Sequence, residues 1–512
     1  MLHDCFFDTA CRRPNDPALV VEDCHWTYAE LLDRAELIAQ RLRLEAPASK
    51  RCLLFGYRSA DTYAGLLGIL RAGTTYVPLN PKFPPARNAA IIQRSGADVM
   101  LIDQHCQSAW EGVQPLLETP LKVIQLNTAQ GLQGSKRTEL PSHGPEHELA
   151  YILFTSGTTG QPKGVQISHA SACAYVRSIS TLFPVTRPIR HTQMFDLTFD
   201  LSVHDMFVCW ANGGCLYVPS DKGLLQPGAF IKQHAITHWF SVPSMASFMM
   251  QFKKLAPDAY PSIEMSMFCG EALPYSLAEA WWHATPNSRL VNLYGPTEAT
   301  VAFTYFEFEL SNTLSNISAV PIGCSLPEQE TVVINEHLEQ LPPGQTGELV
   351  LGGSQLSDGY ISSNEADHLK FFHRSYAEKK SGRWYRTGDL VSDSDSFGLL
   401  FRGRVDSQIK LRGYRIELQE VEHVVSLASA SICAVVPWPL DNNGSPLGLV
   451  AFLQKKHDLK QDEEILQACR AQLPEYACPE MVIHLEKFPL NSNGKIDRAQ
   501  LRLICSSAIQ NL

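Results

Sequence analysis

The stretch "YILFTSGTTGQPKGVQISH", Tyr151 to His169, decides how the rest of the chain is read. An apolar, β-type run, "LAYILFT", ends in Thr155-Ser156-Gly157-Thr158-Thr159-Gly160, and Lys163 follows. Glycines let a backbone curl close to an anion and turn its N–H groups towards it. The hydroxyls add donors, and Lys163 adds a point charge. The spacing is not that of a Walker loop. Taken alone, such a segment also reads as an ordinary surface turn, so the surrounding sequence has to decide.

Upstream of the loop, helical and strand patterns alternate. "WTYAELLDRAELIAQRLRL" has helical spacing, with Thr27 as N-cap and Glu30 three residues on. "RCLLFGY" reads as a buried strand, "ADTYAGLLGILRAG" as a helix stopping at Gly73, and "TYVPLNP" and "ADVMLID" as further strands. Such alternation predicts a doubly wound, largely parallel sheet. Residues 128–147 are polar and rich in turn formers, a surface connection. After about residue 310, "ETVVINEHLEQLPPGQTGELVLGG" predicts a small antiparallel β unit. From "GLLFRGRVDSQIKLRGYRIELQEVEHVV" onward, hairpin material passes into a helix and a compact α+β unit.

The bulk numbers bound the function. The 512 residues are 45% hydrophobic and 19% charged, enough to fill sizeable cores in about three domains. A net charge of −10 argues against a nucleic-acid partner and against an anionic membrane surface. Apolar runs such as "MFVCWANGGCLYV" are interrupted and fall short of the ~20 residues that span a bilayer. "MLHDCFFDTACRR" lacks the basic start and apolar run of a signal peptide. A cytoplasmic protein is expected. The 14 cysteines are scattered, without zinc spacing, and read as free thiols.

Further motifs follow in order: "NLYGPTEAT" (Asn292 to Thr300), "GELVLGG" from Gly347, "YRTGDL" (Tyr385 to Leu390), "FRGRVDSQIKLRGYRIEL" (Phe401 to Leu418) and "NSNGKIDR" with Lys495. Tyr294 offers a flat face for a purine, or is simply a core aromatic. Glu298 is a carboxylate suited to Mg²⁺, which prefers one or two carboxylates beside phosphate oxygens. A lone Asp in a turn is usually a cap, and a turn lysine is normally solvated.

Together with the opening loop, this series resembles the adenylate-forming superfamily of acyl-CoA ligases, luciferases and peptide-synthetase adenylation domains. The resemblance implies an α/β fold: a large N-terminal domain (1–405) of doubly wound sheets with a small β-barrel-like unit, then a smaller mobile α+β C-terminal domain (406–512). It implies ATP and Mg²⁺ as cofactors. Thr155, Ser156, Gly157, Thr158, Thr159, Gly160 and Lys163 would hold the β- and γ-phosphates. Gly270, Glu271, Ala272, Asn292, Leu293, Tyr294, Gly295 and Thr297 would surround the nucleotide. Asp389 would take the ribose hydroxyls with Arg404 beside it, and Glu298 with Thr155 would hold the metal. Asp406 would be the hinge, and Gly413 would face the pantetheine tunnel. Lys495 would reach the substrate carboxylate and the α-phosphate. A carboxylate attacking an anionic phosphate needs such a cation to offset repulsion and developing charge; the rest is positioning. No covalent nucleophile is required.

"MFDLTFDLSVHDMF" bears on what is activated. Amino-acid-activating members carry an Asp before an apolar-Ser-Val run to pair with the α-ammonium, and Asp200 matches; the alternative is a helix N-cap. The family's pocket positions fall on Asp200, Leu201, His204, Ser241, Met267, Cys269, Leu293, Val301 and Ala302, with Lys495 at the other end. This lining is apolar or weakly polar and suits a small neutral amino acid. "MFCGEALP" and "YGPTEATVAFT" resemble D-alanine–carrier protein ligases, with Cys269 on their pocket cysteine. Leu293 stands where those carry Thr, an intrusion worth ~1–3 kcal/mol that shifts the expectation to glycine, as in the sibling ligases of lipid A glycinylation and polymyxin resistance. The chain ends 17 residues after Lys495, so the expected acceptor is a separate phosphopantetheinylated carrier protein. D-Alanine for teichoic acids, a stand-alone peptide-synthesis enzyme, a ligase using free coenzyme A and a non-catalytic nucleotide binder stay open.

Overall fold

The computed structural model describes residues 1–22, 24–127, 148–157, 161–310, 318–361, 365–441, 444–454, 459–490 and 496–509. One sheet runs, in spatial order, Gly359–Ile361, Lys163–Ser168, Leu149–Thr155, Thr75–Leu79, Arg51–Phe55, Val99–Ile102, Lys122–Gln125. From Leu149–Thr155 to Lys122–Gln125 every pairing is parallel. Val99–Ile102, "VMLI", is buried at all its positions, as a parallel strand covered on both faces must be. Helix Tyr28–Glu45 packs on helix Ala60–Arg71, which covers this layer, and starts at the expected capping box: Glu30 N–H donates to the Thr27 hydroxyl and Thr27 N–H to the Glu30 carboxylate. A cap of this kind contributes about 1 kcal/mol.

The phosphate-type loop has a different setting from the parallel strands. Leu149–Thr155 pairs antiparallel with Lys163–Ser168, so the loop is the bend of a β-hairpin. Gly157 has a steric reason to be glycine: a Cβ there would lie 2.1 Å from the Gln161 carbonyl oxygen. Thr158, Thr159 and Gly160 lie outside the described residues, as does the 128–147 connection.

A second sheet runs Cys324–Ser325, Thr304–Phe308, Arg289–Tyr294, Met265–Phe268, His238–Ser241, Arg190–Thr192, Cys215–Val218, Pro17–Val21, Cys24–Thr27. Its six central strands are parallel. Their carboxyl ends place Ser241, Cys269 and Tyr294 along one rim, where open α/β sheets bind ligands. The expected antiparallel unit is a third sheet, with Arg383–Ser394 between Thr346–Gly353 and Gly398–Arg404.

The C-terminal part has its own core, formed by Val421, Val425, Leu449, Ile465 and Cys469 among others. Hairpin Gln408–Leu411/Tyr414–Glu417 leads into helix Leu418–Ser429 and a three-stranded sheet. This part rests on the N-terminal part through a buried ion pair, Arg87 to Glu420 at 2.8 Å. Tyr476 stacks on Tyr414 at 3.7 Å and meets Phe83 edge-on. Among the described residues no helix is long and apolar enough to cross a membrane. The cysteines are free.

Candidate active site

Glu298 is the fully buried centre of the site. It stands in a 3₁₀ turn, Thr297–Ala299, followed by two β-branched residues with positive φ, Thr300 at 59° and Val301 at 69°. Such conformations cost on the order of 1–3 kcal/mol each and persist only where the surroundings impose them. Gln355 does so: its Nε2 donates to the Ala302 carbonyl at 2.8 Å, and its own carbonyl accepts from the Thr300 hydroxyl at 2.6 Å. The kinked turn thereby aims Glu298 one way and Val301 the other.

Tyr360 donates to Glu298 Oε1 at 2.6 Å and Arg415 Nη1 to Oε2 at 2.7 Å. Burial pushes the Glu298 carboxyl up, but Arg415, then Lys163, Lys370 and the Tyr360 hydroxyl outweigh it and hold it well below the usual carboxylate range. Thr155 Oγ1 is buried without a partner, on the residue that pairs across the hairpin with Lys163, one of the cations acting on Glu298. A buried carboxylate with an orphaned hydroxyl oxygen is an all-oxygen donor set that fits a hard cation such as Mg²⁺. Both Glu298 oxygens are engaged in this domain arrangement, so a metal there requires Arg415 to give way.

Arg415 belongs to the C-terminal hairpin, which inserts between the sheets. Lys410 is its register partner across the hairpin and lies 5.7 Å over the Tyr294 ring. Gly413 N–H donates to Glu271 Oε1 at 2.6 Å, and the Ser156 hydroxyl to the Arg415 carbonyl at 2.9 Å. Gly413 has φ +83°, and a Cβ would stand 2.4 Å from Val242 Cγ1, so only glycine permits this approach.

Asp389 and Arg404 are direct cross-strand partners and form an ion pair. Arg404 also holds Asp406, from Nε at 2.6 Å and Nη2 at 2.8 Å. Tyr294 donates its hydroxyl to Asp389 and is buried in the cluster with Ala299 and Phe303. The ring is thus a core aromatic packed beneath, with one face towards Lys410.

On the amino-acid side, Asp200 precedes a short helix, yet its side chain makes no capping hydrogen bond. It is 5% exposed and lines a space of about 40 Å³ with Leu201, Cys269, Thr297 and Val301. Burial raises the Asp200 pKa to about 6, against a lowering hydrogen bond from Thr297. Burial also drives the Cys269 thiol up to about 12, which keeps it neutral and inert.

Other expected site residues are placed differently. The Lys163 ammonium is 2.9 Å from Asp367 and 4.7 Å over the Tyr360 ring, in a buried pair rather than a free charge at the loop. Asn292 Nδ2 donates to the carbonyls of Val320 and Pro321. Ser241 accepts from Trp239 Nε1 and, with Glu271 and Ala272, lines a groove of about 650 Å³. His204 and Met267 line a separate, deeper chamber. Leu293 and Ala302 are buried in the surrounding core, Gly270 and Gly295 lie in the wall beside Cys269, and Lys495 lies outside the described residues. Sequence reading missed Lys410, Arg415, Tyr360 and Gln355. Strand alternation in "QIKLRGYRIE" carried a signal for the first two, because register partners share a face.

The strand-end site, with the buried Glu298 and the Asp389–Arg404 pair, is that of an ATP-dependent, AMP-forming ligase. The model of the AMP-binding enzyme family matches residues 6–361, and that of the AMP-binding enzyme C-terminal domain residues 420–495; the chain belongs to this family. It is 31% identical over 499 residues to a D-alanine--D-alanyl carrier protein ligase of Bacillus licheniformis, covering 96% of each chain. It is 31% identical over 506 residues to tyrocidine synthase 3 of Brevibacillus parabrevis, where it spans 98% of its own length and 8% of the relative's. Among solved structures, the adenylation domain AlmE of Vibrio cholerae, in complex with glycyl-adenosine-5'-phosphate, superposes with TM-score 0.87 at 31% identity, over 98% of both chains.

Proposed function

We propose that this protein is an amino acid–carrier protein ligase that activates a small neutral amino acid, glycine before D-alanine. The observation that carries the reading is Asp200: buried, uncommitted to capping and facing a space of about 40 Å³. The same space runs on to Asp389, Arg404, Lys410 and Arg415, so Asp200 shares it with the ribose-side pair, as an ammonium joined to an adenylate requires. An acid lacking an amine would leave the buried carboxylate with hydrogen bonds but no ion-pair partner, which disfavours the coenzyme A ligase reading.

In the first step, the amino-acid carboxylate oxygen bonds to the α-phosphorus of ATP and the bond to the β-phosphate oxygen breaks. Aminoacyl-AMP stays and pyrophosphate leaves. Asp200 holds the ammonium, Asp389 the ribose, the 155–160 loop the leaving phosphates, and Lys495 the α-phosphate charge. Glu298 and Thr155 would hold Mg²⁺, which would supply charge neutralisation for the leaving pyrophosphate. The arrangement with Arg415 on Glu298 and Gly413 beside Val242 fits the second step. There a carrier pantetheine thiol, entering by the groove of about 650 Å³ between Phe248 and Arg412, attacks the acyl carbon. Thioester forms, and AMP leaves with its electron pair. Rotation about Asp406 interchanges the arrangements.

The glycyl-adenylate bound by AlmE supports glycine. The D-alanine ligase relative, matched over nearly its whole length, supports D-alanine as the second reading. A cytoplasmic enzyme supplying glycine through a separate carrier to cell-envelope lipid A fits the first. The test is ATP–pyrophosphate exchange with glycine, D-alanine and larger amino acids. Highest kcat/KM for glycine is expected; strong D-alanine exchange beside feeble glycine exchange reverses the order, and no exchange with any amino acid overturns the function.

A further inference from the structure

Behind the amino-acid pocket lies a second chamber of about 20 Å³, lined by His191, His204, Asn212, His238, Met265 and Met267 among others. The two spaces follow each other along the same two elements. On the helical side, Asp200 and Leu201 line the outer pocket, and His204, one turn on, the inner chamber. On the strand side, Cys269 lines the outer pocket and Met267, two residues back on the same face, the inner chamber. His204 therefore stands at the boundary.

Its ring is tightly held. Tyr175 OH lies 2.7 Å from His204 Nδ1, and the Phe240 ring centroid is 4.1 Å from the imidazole on another side. The Tyr175 hydroxyl has no second hydrogen-bond partner among the described residues. A buried phenol without a partner costs about 1–3 kcal/mol, so the hydroxyl resists any rotation of His204. Burial keeps the imidazoles of His204, His191 and His238 neutral, with pKa values well below the ordinary one, at about 4 and at about 3 respectively. Behind the partition the lining is uncharged, with Ile179, Val185, Ile189 and Met265 beside the neutral imidazoles and Asn212, and it accepts the end of an aliphatic chain.

We propose that Tyr175 sets how long an amino-acid side chain the enzyme accepts, by pinning the His204 ring as a partition between the pocket and the second chamber. This rests on the small-amino-acid reading above. Tyr175 is a positioning residue: it acts only through His204.

The test is pyrophosphate exchange with glycine, 2-aminobutyrate and norvaline on the wild type, Tyr175→Phe, His204→Ala and the double variant, with thermal unfolding of each. Both single variants are expected to raise the kcat/KM ratio of 2-aminobutyrate or norvaline to glycine at least about tenfold, the scale on which apolar pockets discriminate methylenes. The double variant should exceed the larger single effect by no more than about twofold, because the two groups act as one unit. Phe240→Leu, which frees the other side of the ring, should move the ratio the same way and decides the matter if Tyr175→Phe does not fold. A ratio unchanged in Tyr175→Phe while His204→Ala raises it, effects that multiply in the double variant, or a uniform loss for all substrates overturns the proposal. A wild type without amino-acid-dependent exchange strikes the function itself, a result distinguishable from these.

Discussion

Replacing Asp200 by Asn should make the protein more stable and nearly inactive. The exchange conserves shape and removes the charge. Removing one partner of a buried ion pair costs about 3–5 kcal/mol, so kcat/KM for glycine should fall by about 10²–10³·⁵ at 1.4 kcal/mol per tenfold. Stability moves the other way. The Asp200 pKa is raised from 3.8 to about 6 in the folded protein, so its contribution favours the fold below the unfolded value and is lost as pH rises through about 6. At neutral pH the ionised side chain opposes folding by up to about 3 kcal/mol, at 1.36 kcal/mol per pH unit. The Asn variant escapes that cost. The assays are pyrophosphate exchange against pH and denaturant unfolding at pH 7. In the wild type, kcat/KM for glycine should fall about tenfold per pH unit below about pH 6, and this acid limb should vanish in the variant. Exchange retained within about threefold in Asp200→Asn would refute the assignment of Asp200 to the ammonium. Loss of activity with loss of stability would refute the reasoning about burial.

Gly413→Ala places a methyl 2.4 Å from Val242 Cγ1, a clash that only the docked hairpin feels. Thioester formation on a carrier protein should drop by at least about tenfold, since such strain is worth 1–3 kcal/mol, while pyrophosphate exchange persists; equal losses in both assays would count against separate arrangements. The Cys269 thiol, pushed up to about 12 by burial, should resist iodoacetamide at pH 8, and Cys269→Ala should retain exchange activity; rapid alkylation with inactivation would show a reactive thiolate.

Much of the fold was legible because its determinants are local. The Thr27–Glu30 capping box and the all-apolar strand Val99–Ile102 are written in neighbouring residues. Within the candidate site, the quoted motifs located the buried carboxylates Glu298 and Asp200, because each lies in one short turn. What could not be read depends on distant partners. Lys163 looks like a free cation until Asp367, more than two hundred residues away, is folded against it. Arg415 and Lys410 become site residues only when the C-terminal part docks, and no spacing in the sequence encodes that docking. His204 was expected in the outer pocket but lines the chamber behind it, since the helix carries it one turn deeper than Asp200.

The seam between the two parts of the chain is fastened by Arg87 and Glu420, paired at 2.8 Å with both side chains almost fully covered. Such a fastening differs in kind from an apolar one. When the surfaces part, water rehydrates both charges and returns much of what separation removes, whereas parted apolar faces gain nothing from solvent. In the two-step cycle proposed above the C-terminal part lets go once per turnover, and a reversible clasp of this sort serves it, strong in register and light in grip.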